Sequence, residues 1–158
     1  MIYVSSFPPT LIRRATTDDL EEIFLLETIC FRERRFKKDH ILWVLHHPYG
    51  VTFIDTEKKT RGTLMLLIES DVCRILSIAV HPAHRHKSVG TALMREAEHY
   101  AISKGSKKVR LEVGVNNVGA LEFYNKLGYK NTGTLTRYYS WGEDAYTMSK
   151  KLSDCAKT

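Results

Sequence analysis

The change of pattern across residues 73–101 limits the fold more than any other feature. "CRILSIAV", residues 73–80, is an aliphatic run rich in β-branched residues, whereas from Val89 the apolar residues recur as Val89, Leu93, Ala97, Tyr100 and Ala101. A strand therefore gives way to a helix, and the link between them, "HPAHRHKS", concentrates positive charge at the helix's start. The helix ends at Gly105. "KKVRLEV" then sets Val109, Leu111 and Val113 on one side and Arg110 and Glu112 on the other, the alternation of a half-buried strand.

The remaining segments fit around this unit. "TLIRRAT" reads as a first strand. "TTDDLEEIFLLETICF" reads as a helix capped by Thr17 or Asp18, with Leu20, Ile23, Phe24 and Leu26 on its apolar side. "KDHILWVLHH" is a shorter helix stopped by Pro48 and Gly50. "VTFID" and "RGTLMLLIE" form a hairpin around the polar "TEKKT". Downstream, "NNVGALEFYNKLGY" carries Ala120, Phe123, Tyr124 and Leu127 at helical spacing and ends near Gly128, and "YKNTGTLTRYY" and "AYTMSKKL" make a closing strand pair around "SWGED". The order β-α-α-β-β-β-α-β-α-β-β implies an α/β (α+β) chain with a mixed sheet and helices on both faces. With neither repeat nor linker, residues 1–158 read as a single domain.

A helix entered from a strand leaves its first N–H groups unpaired and adds the positive end of its dipole. A phosphate fits there. Gly90, lacking a Cβ, allows a ligand near the backbone, and Arg85 and Lys87 add charge. An exposed loop with Ser88 as N-cap is an equally good account of the spacing. The stretch matches neither GxxxxGK[ST] nor GxGxxG, so ATP binding and hydride transfer lose their usual support.

A net charge of +6 favours anionic partners. The densest basic run, "RERRFKKDH" at residues 32–40, reads as a solvated helix face or loop, and nucleic acid is not the expected partner because no RNP sequence, zinc finger or glycine-rich basic tail accompanies it. Cys30, Cys73 and Cys155 lack metal-ligand spacing, and the histidines form no HExxH pattern, so no metal and no disulfide framework are expected. Cys30 and Cys73 read as small core residues. No apolar run reaches the ~18–20 residues of a membrane span, and "MIYVSSFPPT" lacks the parts of a signal peptide. The expectation is a cytoplasmic protein.

Arg85-x-x-Ser88-x-Gly90 resembles the R/Q-x-x-G-x-G/A loop of the GNAT acetyltransferase superfamily, with serine in place of the first glycine. "LSIAVHPAHR" is similar to that family's fourth strand. "LEVGVNNVGALEFYNKLGY" and "YYSWGEDAYTM" resemble stretches of RimI-like and archaeal N-terminal acetyltransferases. The resemblance implies a GNAT fold, with a mixed central sheet of about seven strands flanked by about four helices. It also implies acetyl-CoA as the acetyl donor.

Its site implications are specific. The backbone of Ile78, Ala79 and Val80 would pair with the pantetheine arm, although a wholly buried strand fits the sequence as well. Arg85, His86, Lys87, Ser88, Val89, Gly90 and Thr91 would hold the pyrophosphate, chiefly through main-chain amides. Asn117 would contact the cofactor, and it is equally suited to capping a helix. Tyr124 would protonate the leaving sulfur, although the spacing alone suits core packing. Glu112 would be the general base, against a local role as an exposed carboxylate paired with Arg110 or Lys108. Tyr138 and Tyr139 would contact the acceptor, against a place on an amphipathic edge strand. "FRERRFKKDH" departs from the P-x-x-Y segment of many relatives at the acceptor's approach.

The reaction so implied is direct attack of a protein or peptide N-terminal α-amine on acetyl-CoA in a ternary complex. An α-amine, with a reference pKa of about 7.7–8.0, needs less help than a lysine at about 10.4. The alternatives are a lysine acetyltransferase acting on a basic chromatin or ribosomal protein, a small-amine acetyltransferase, and a non-catalytic CoA- or nucleic-acid-binding module.

Overall fold

A computed structural model of the chain describes residues 11–154. Residues 1–10, on which the signal-peptide reading rests, and Cys155 lie outside the described residues. β1 (Ile12–Arg14) leads through a 3₁₀ turn into α1 (Leu20–Phe31) and α2 (Lys38–His46). β2 (Gly50–Thr56), β3 (Thr60–Glu69) and β4 (Val72–Val80) form an antiparallel meander. α3 (Val89–Ser103), β5 (Lys108–Gly114), α4 (Val118–Lys126), β6 (Lys130–Leu135) and β7 (Ala145–Lys151) complete the order. Among the described residues the seven strands form one mixed sheet, β1-β2-β3-β4-β5-β7-β6. The expected order and the presence of helices on both faces are borne out.

Each strand's alternation decides which face it serves. Leu64, Leu66, Val109, Leu111 and Val113 are buried with Leu93, Met94, Ala97 and Tyr124, which seats α3 and α4 on one face. Ile54 and Met65 are buried with Ile23, Ile41 and Val44, which seats α1 and α2 on the other. Fully burying one such aliphatic side chain is worth about 1.5–3 kcal/mol. Glu98 of α3 is also buried, but it is satisfied: it accepts from the Tyr129 hydroxyl at 2.8 Å and from Lys150 Nζ at 3.0 Å.

The entrance to α1 differs from the expected cap at Thr17 or Asp18. Thr16 is the N-cap of the preceding 3₁₀ turn, its Oγ1 accepting from the Asp18 N–H, while Asp19 Oδ2 accepts from the Thr16 N–H at 2.8 Å. The reciprocal bonds form a capping box. Arg13 then donates to both oxygens of Asp19, at 2.8 and 2.9 Å, which holds that carboxyl below its ordinary range.

The feature that shapes the site is how briefly β4 and β5 pair. They run parallel and in register only at Val72–Lys108, Cys73–Val109 and Arg74–Arg110. Beyond these positions, residues 75–80 of β4 and 111–114 of β5 diverge, although each strand keeps its outer partner, β3 or β7. The divergence begins at a bulge. Met65 of β3 faces Ser77 and Leu66 faces Ile75, so Leu76 is the extra residue. An extra residue bends its strand and re-aims the side chains that follow. Before it, Cys73 and Ile75 join the α3 core. After it, Ile78 and Val80 do so, while Leu76 packs towards α1 and α2.

Candidate active site

At one end of the cleft between the diverging strands the chain turns sharply into α3. After β4, Pro82–His84 make a 3₁₀ turn, and His86 and Ser88 take left-handed backbone, with φ of 61° and 67°. Ser88, offered by the spacing as the N-cap, does stand at that position, but its backbone is left-handed and its hydroxyl makes no cap bond. The left-handed turn is what brings the chain into α3 within one residue. An αL residue followed by helical ones also converges successive N–H groups into a concavity for an anion. The first backbone bond of the helix runs from Ala92 N–H to Ser88 O at 3.0 Å, so the N–H groups of Val89, Gly90 and Thr91 sit at its free end. The side chains of Arg85, His86 and Lys87 are exposed around them.

Gly90 also has a packing reason. A Cβ there would come within 3.2 Å of the Phe123 ring, so the missing side chain makes room for α4 to pack on α3.

Ile78, Ala79 and Val80 lie on the β4 edge that has left β5. The Val80 carbonyl, however, is already occupied. Arg85 Nε donates to it at 3.1 Å and Cys30 Sγ at 3.4 Å. Cys30, expected in the core, is half-buried at the end of this cleft, whereas Cys73 is fully buried.

On the α1–α2 face of the opposite strand stands Glu112. It is not the exposed carboxylate of its local alternative: its side chain is 9% exposed, and Arg74 Nε and Arg110 Nε each lie 3.4 Å from one of its oxygens. Arg74 also donates to the Tyr138 hydroxyl at 2.8 Å, which ties β4 to the β6–β7 connection. Tyr138 and Tyr139 lie beyond the end of β6, in that connection and not on an edge strand. Tyr139 stacks on Trp141, with ring centroids 4.5 Å apart, and burial pushes its hydroxyl up to about 12. Arg34, from the segment between α1 and α2, sits over the Trp141 ring at 4.3 Å. Glu143 anchors the same corner by accepting from Trp141 Nε1 and the Asn116 N–H, at 2.9 and 3.1 Å. A Cβ at Gly114 would fall 2.6 Å from that carboxylate, so any larger residue there would displace the Glu143 side chain.

Tyr124 lies on the other face. Its ring is buried edge-on to Phe123 and Tyr129, and burial raises its hydroxyl above the ordinary tyrosine value, with Tyr139 adding to the effect. Among the described residues that hydroxyl makes no hydrogen bond. Burial keeps it protonated, a donor with no acceptor among the described residues. Asn117 caps α4, its Oδ1 accepting from the Ala120 N–H at 3.2 Å, so its side-chain NH₂ remains available.

The chain matches the profile of the acetyltransferase (GNAT) family over residues 17–129. It belongs to the GNAT acetyltransferase family.

Members of this family take their acetyl group from acetyl-CoA. The chain is 33% identical to the N-terminal acetyltransferase A complex catalytic subunit NAA10 of Arabidopsis thaliana, over 89% of this chain and 77% of that one. It is 29% identical to the N-alpha-acetyltransferase of Saccharolobus solfataricus, over 89% and 92%. Its fold matches the crystal structure of the ribosomal-protein-S18-alanine N-acetyltransferase from Escherichia coli with a TM-score of 0.81 and 22% identity, covering 89% and 92%. The GNAT fold expected from the sequence is therefore borne out, and so is the enzyme class.

The GNAT motifs did not point to Glu27 of α1, which is fully buried. A signal was present nonetheless: Glu27 stands four residues after Ile23 and three before Cys30, on the helix's apolar stripe.

Proposed function

We propose that this GNAT enzyme transfers the acetyl group of acetyl-CoA to the N-terminal α-amine of a protein or peptide by direct attack in a ternary complex. The observation that carries the proposal is the early end of β4–β5 pairing. It opens a cleft from the turn at residues 85–91 to Glu112 and Tyr138, and an extended pantetheine arm can add along the β4 edge as a strand would. The pyrophosphate then meets the N–H groups of residues 88–91, and Asn117 contributes its side-chain NH₂. For the thiol end of the arm to lie along residues 78–80, the Val80 carbonyl must exchange its Arg85 and Cys30 donors for one on the ligand.

In this reading a β4 main-chain N–H polarises the thioester carbonyl. The acceptor approaches on the α1–α2 face, between Arg34 and the Tyr138–Tyr139 pair. Glu112, backed by Arg74 and Arg110, receives the amine and is the base nearest to it. Tyr124, on the far side of the sheet, donates its proton to the departing sulfur. The relatives named for N-terminal acetylation support the acceptor assignment. So does chemistry: a sizeable fraction of an α-amine is neutral near pH 7, whereas a lysine is almost wholly charged. A ribosomal-protein acceptor has a counterpart in the name of the E. coli relative, and a chromatin acceptor has none there.

The test is mass spectrometry of a peptide library incubated with acetyl-CoA, with N-blocked lysine peptides and a polyamine alongside. Acetylation confined to free N-termini is expected. Turnover of the blocked peptides or of the polyamine at equal rates would replace the assignment with one of the other amine classes.

A further inference from the structure

Glu27 is a fully buried carboxyl on the α1 face that packs on β4. The Ser77 hydroxyl donates to its Oε1 at 2.6 Å, and the Phe36 backbone N–H also points at the carboxylate. Its other oxygen, Oε2, has neither a partner nor solvent. Burial pushes Glu27 up to about 7. A buried carboxyl without a cation is expensive to keep in a core.

Its position suggests a use. Ser77 follows the bulged Leu76, at the point where β4 leaves β5. The hydroxyl lies on the α1–α2 face of the sheet, the face on which Arg74 and Arg110 hold Glu112. Each oxygen of Glu112 lies 3.4 Å from a guanidinium nitrogen, Arg74 Nε at one and Arg110 Nε at the other. Ser77 and Glu27 meet no guanidinium directly. On the same element, Glu21 and Glu22 lie exposed in the first turn of α1, and Cys30, one turn along, is the titratable group that interacts with Glu27; Cys30 in turn faces Arg85 from the loop after β4. β4 contributes only the Ser77 hydroxyl, and the segment before α2 only the Phe36 N–H.

We propose that Ser77 and Glu27 form the proton relay of the acetyl transfer, a step that rests on the reading of an amine acceptor given above. As the amine nitrogen bonds to the thioester carbonyl carbon, its N–H proton passes to Ser77 Oγ and the Ser77 proton passes to Glu27 Oε1. Collapse of the tetrahedral centre breaks the C–S bond, and the departing thiolate takes the Tyr124 proton. After release of the products, Glu27 returns its proton to solvent and Tyr124 regains one. Ser77 touches the acceptor and Glu27 acts through Ser77 as a positioning and proton-holding residue; the relay takes over the base's role that the reading above gives to Glu112, which is left to orient the amine.

The experiment is the pH dependence of kcat with saturating acetyl-CoA and a peptide whose α-amine is made less basic by an electron-withdrawing first residue, so that its own titration falls below the range examined. The wild type should lose turnover as pH falls through about 7. Glu27→Gln, close to isosteric, should lose that limb and fall on the order of 10²-fold in kcat. Ser77→Ala should behave alike, and Ser77→Thr should restore both rate and limb. Acetyl-CoA affinity by calorimetry should be unchanged in all three, which separates the relay from a loss of fold. If Glu27→Gln does not fold, the Ser77→Ala and Ser77→Thr pair reads the same limb. Wild-type turnover and an unmoved limb in Glu27→Gln, or equal losses in Ser77→Ala and Ser77→Thr, would overturn the relay and leave the acceptor assignment standing. A wild type that acetylates no amine-bearing peptide would overturn the assignment and the relay together.

Discussion

Arg85 Nε donates to the Val80 carbonyl oxygen across 3.1 Å, so the loop that follows β4 folds back and occupies the last acceptor on that strand's open edge. The same guanidinium stands beside the turn proposed to hold the pyrophosphate. Its two actions on acetyl-CoA oppose each other: it adds charge for the phosphates, and it competes for a backbone acceptor. Arg85→Met removes both. Acetyl-CoA affinity in that variant should change by less than about tenfold, or about 1.4 kcal/mol, because the main-chain amides of the turn stay in place. Titration calorimetry checks this. A hundredfold loss would show that the guanidinium itself holds the phosphates.

Ser88 is at φ 67° with no cap bond to lose. A non-glycine residue in left-handed backbone costs on the order of 1 kcal/mol, part of which glycine gives back through the entropy of the unfolded chain. Ser88→Gly should therefore leave stability unchanged or raise it by up to about 1 kcal/mol. Ser88→Val, β-branched in the same geometry, should lower it by more than 1 kcal/mol. Urea unfolding of the two variants decides the point. A loss of about 1 kcal/mol in Ser88→Gly would mean that the hydroxyl caps α3 after all.

The contrast between Ser88 and its neighbours shows what the sequence could carry. Strand and helix order was legible because the periods change cleanly, from 2 in "KKVRLEV" to about 3.6 after Val89. The β4 bulge was not. "CRILSIAV" is apolar on nearly every position, so one extra residue leaves no break in an alternation that is not there. Tyr138 and Tyr139 continue a plausible strand pattern, but β6 ends at Leu135 because the Arg137 N–H turns to Asp144 Oδ1 at 2.8 Å, a contact that chain-local reasoning does not see. The roles of Gly90 and Ser88 also depend on tertiary neighbours, Phe123 in one case and the sharp turn into α3 in the other.

The unpartnered hydroxyl of Tyr124 separates stability from rate. Because it makes no hydrogen bond among the described residues, Tyr124→Phe takes nothing from the folded protein and should shift stability by less than about 0.5 kcal/mol. If the hydroxyl is the donor to sulfur, turnover should still fall on the order of 10²-fold, with acetyl-CoA affinity retained. Single-turnover kinetics, where chemistry limits the rate, are the measurement. Unchanged turnover would remove Tyr124 as the acid and leave it a core residue packed on Phe123 and Tyr129.

Glu27 also sets a pH dependence of stability that can be read without substrate. Its ordinary value is 4.5 in the unfolded chain and about 7 in the folded one, because burial disfavours the ionised form. Between these values the folded state holds a proton that the unfolded state has released, so stability falls as pH rises. The contribution is fully present below 4.5 and is lost once pH passes about 7. The difference corresponds to something on the order of 3 kcal/mol. Glu27→Gln has no such titration. Urea midpoints of the wild type and of Glu27→Gln, compared at about pH 5 and about pH 8, isolate the effect because the other titrating groups are common to both. The variant should gain on the wild type towards the higher pH. Parallel pH profiles would show that Glu27 titrates like an exposed carboxylate, with a cation or water satisfying Oε2 in solution.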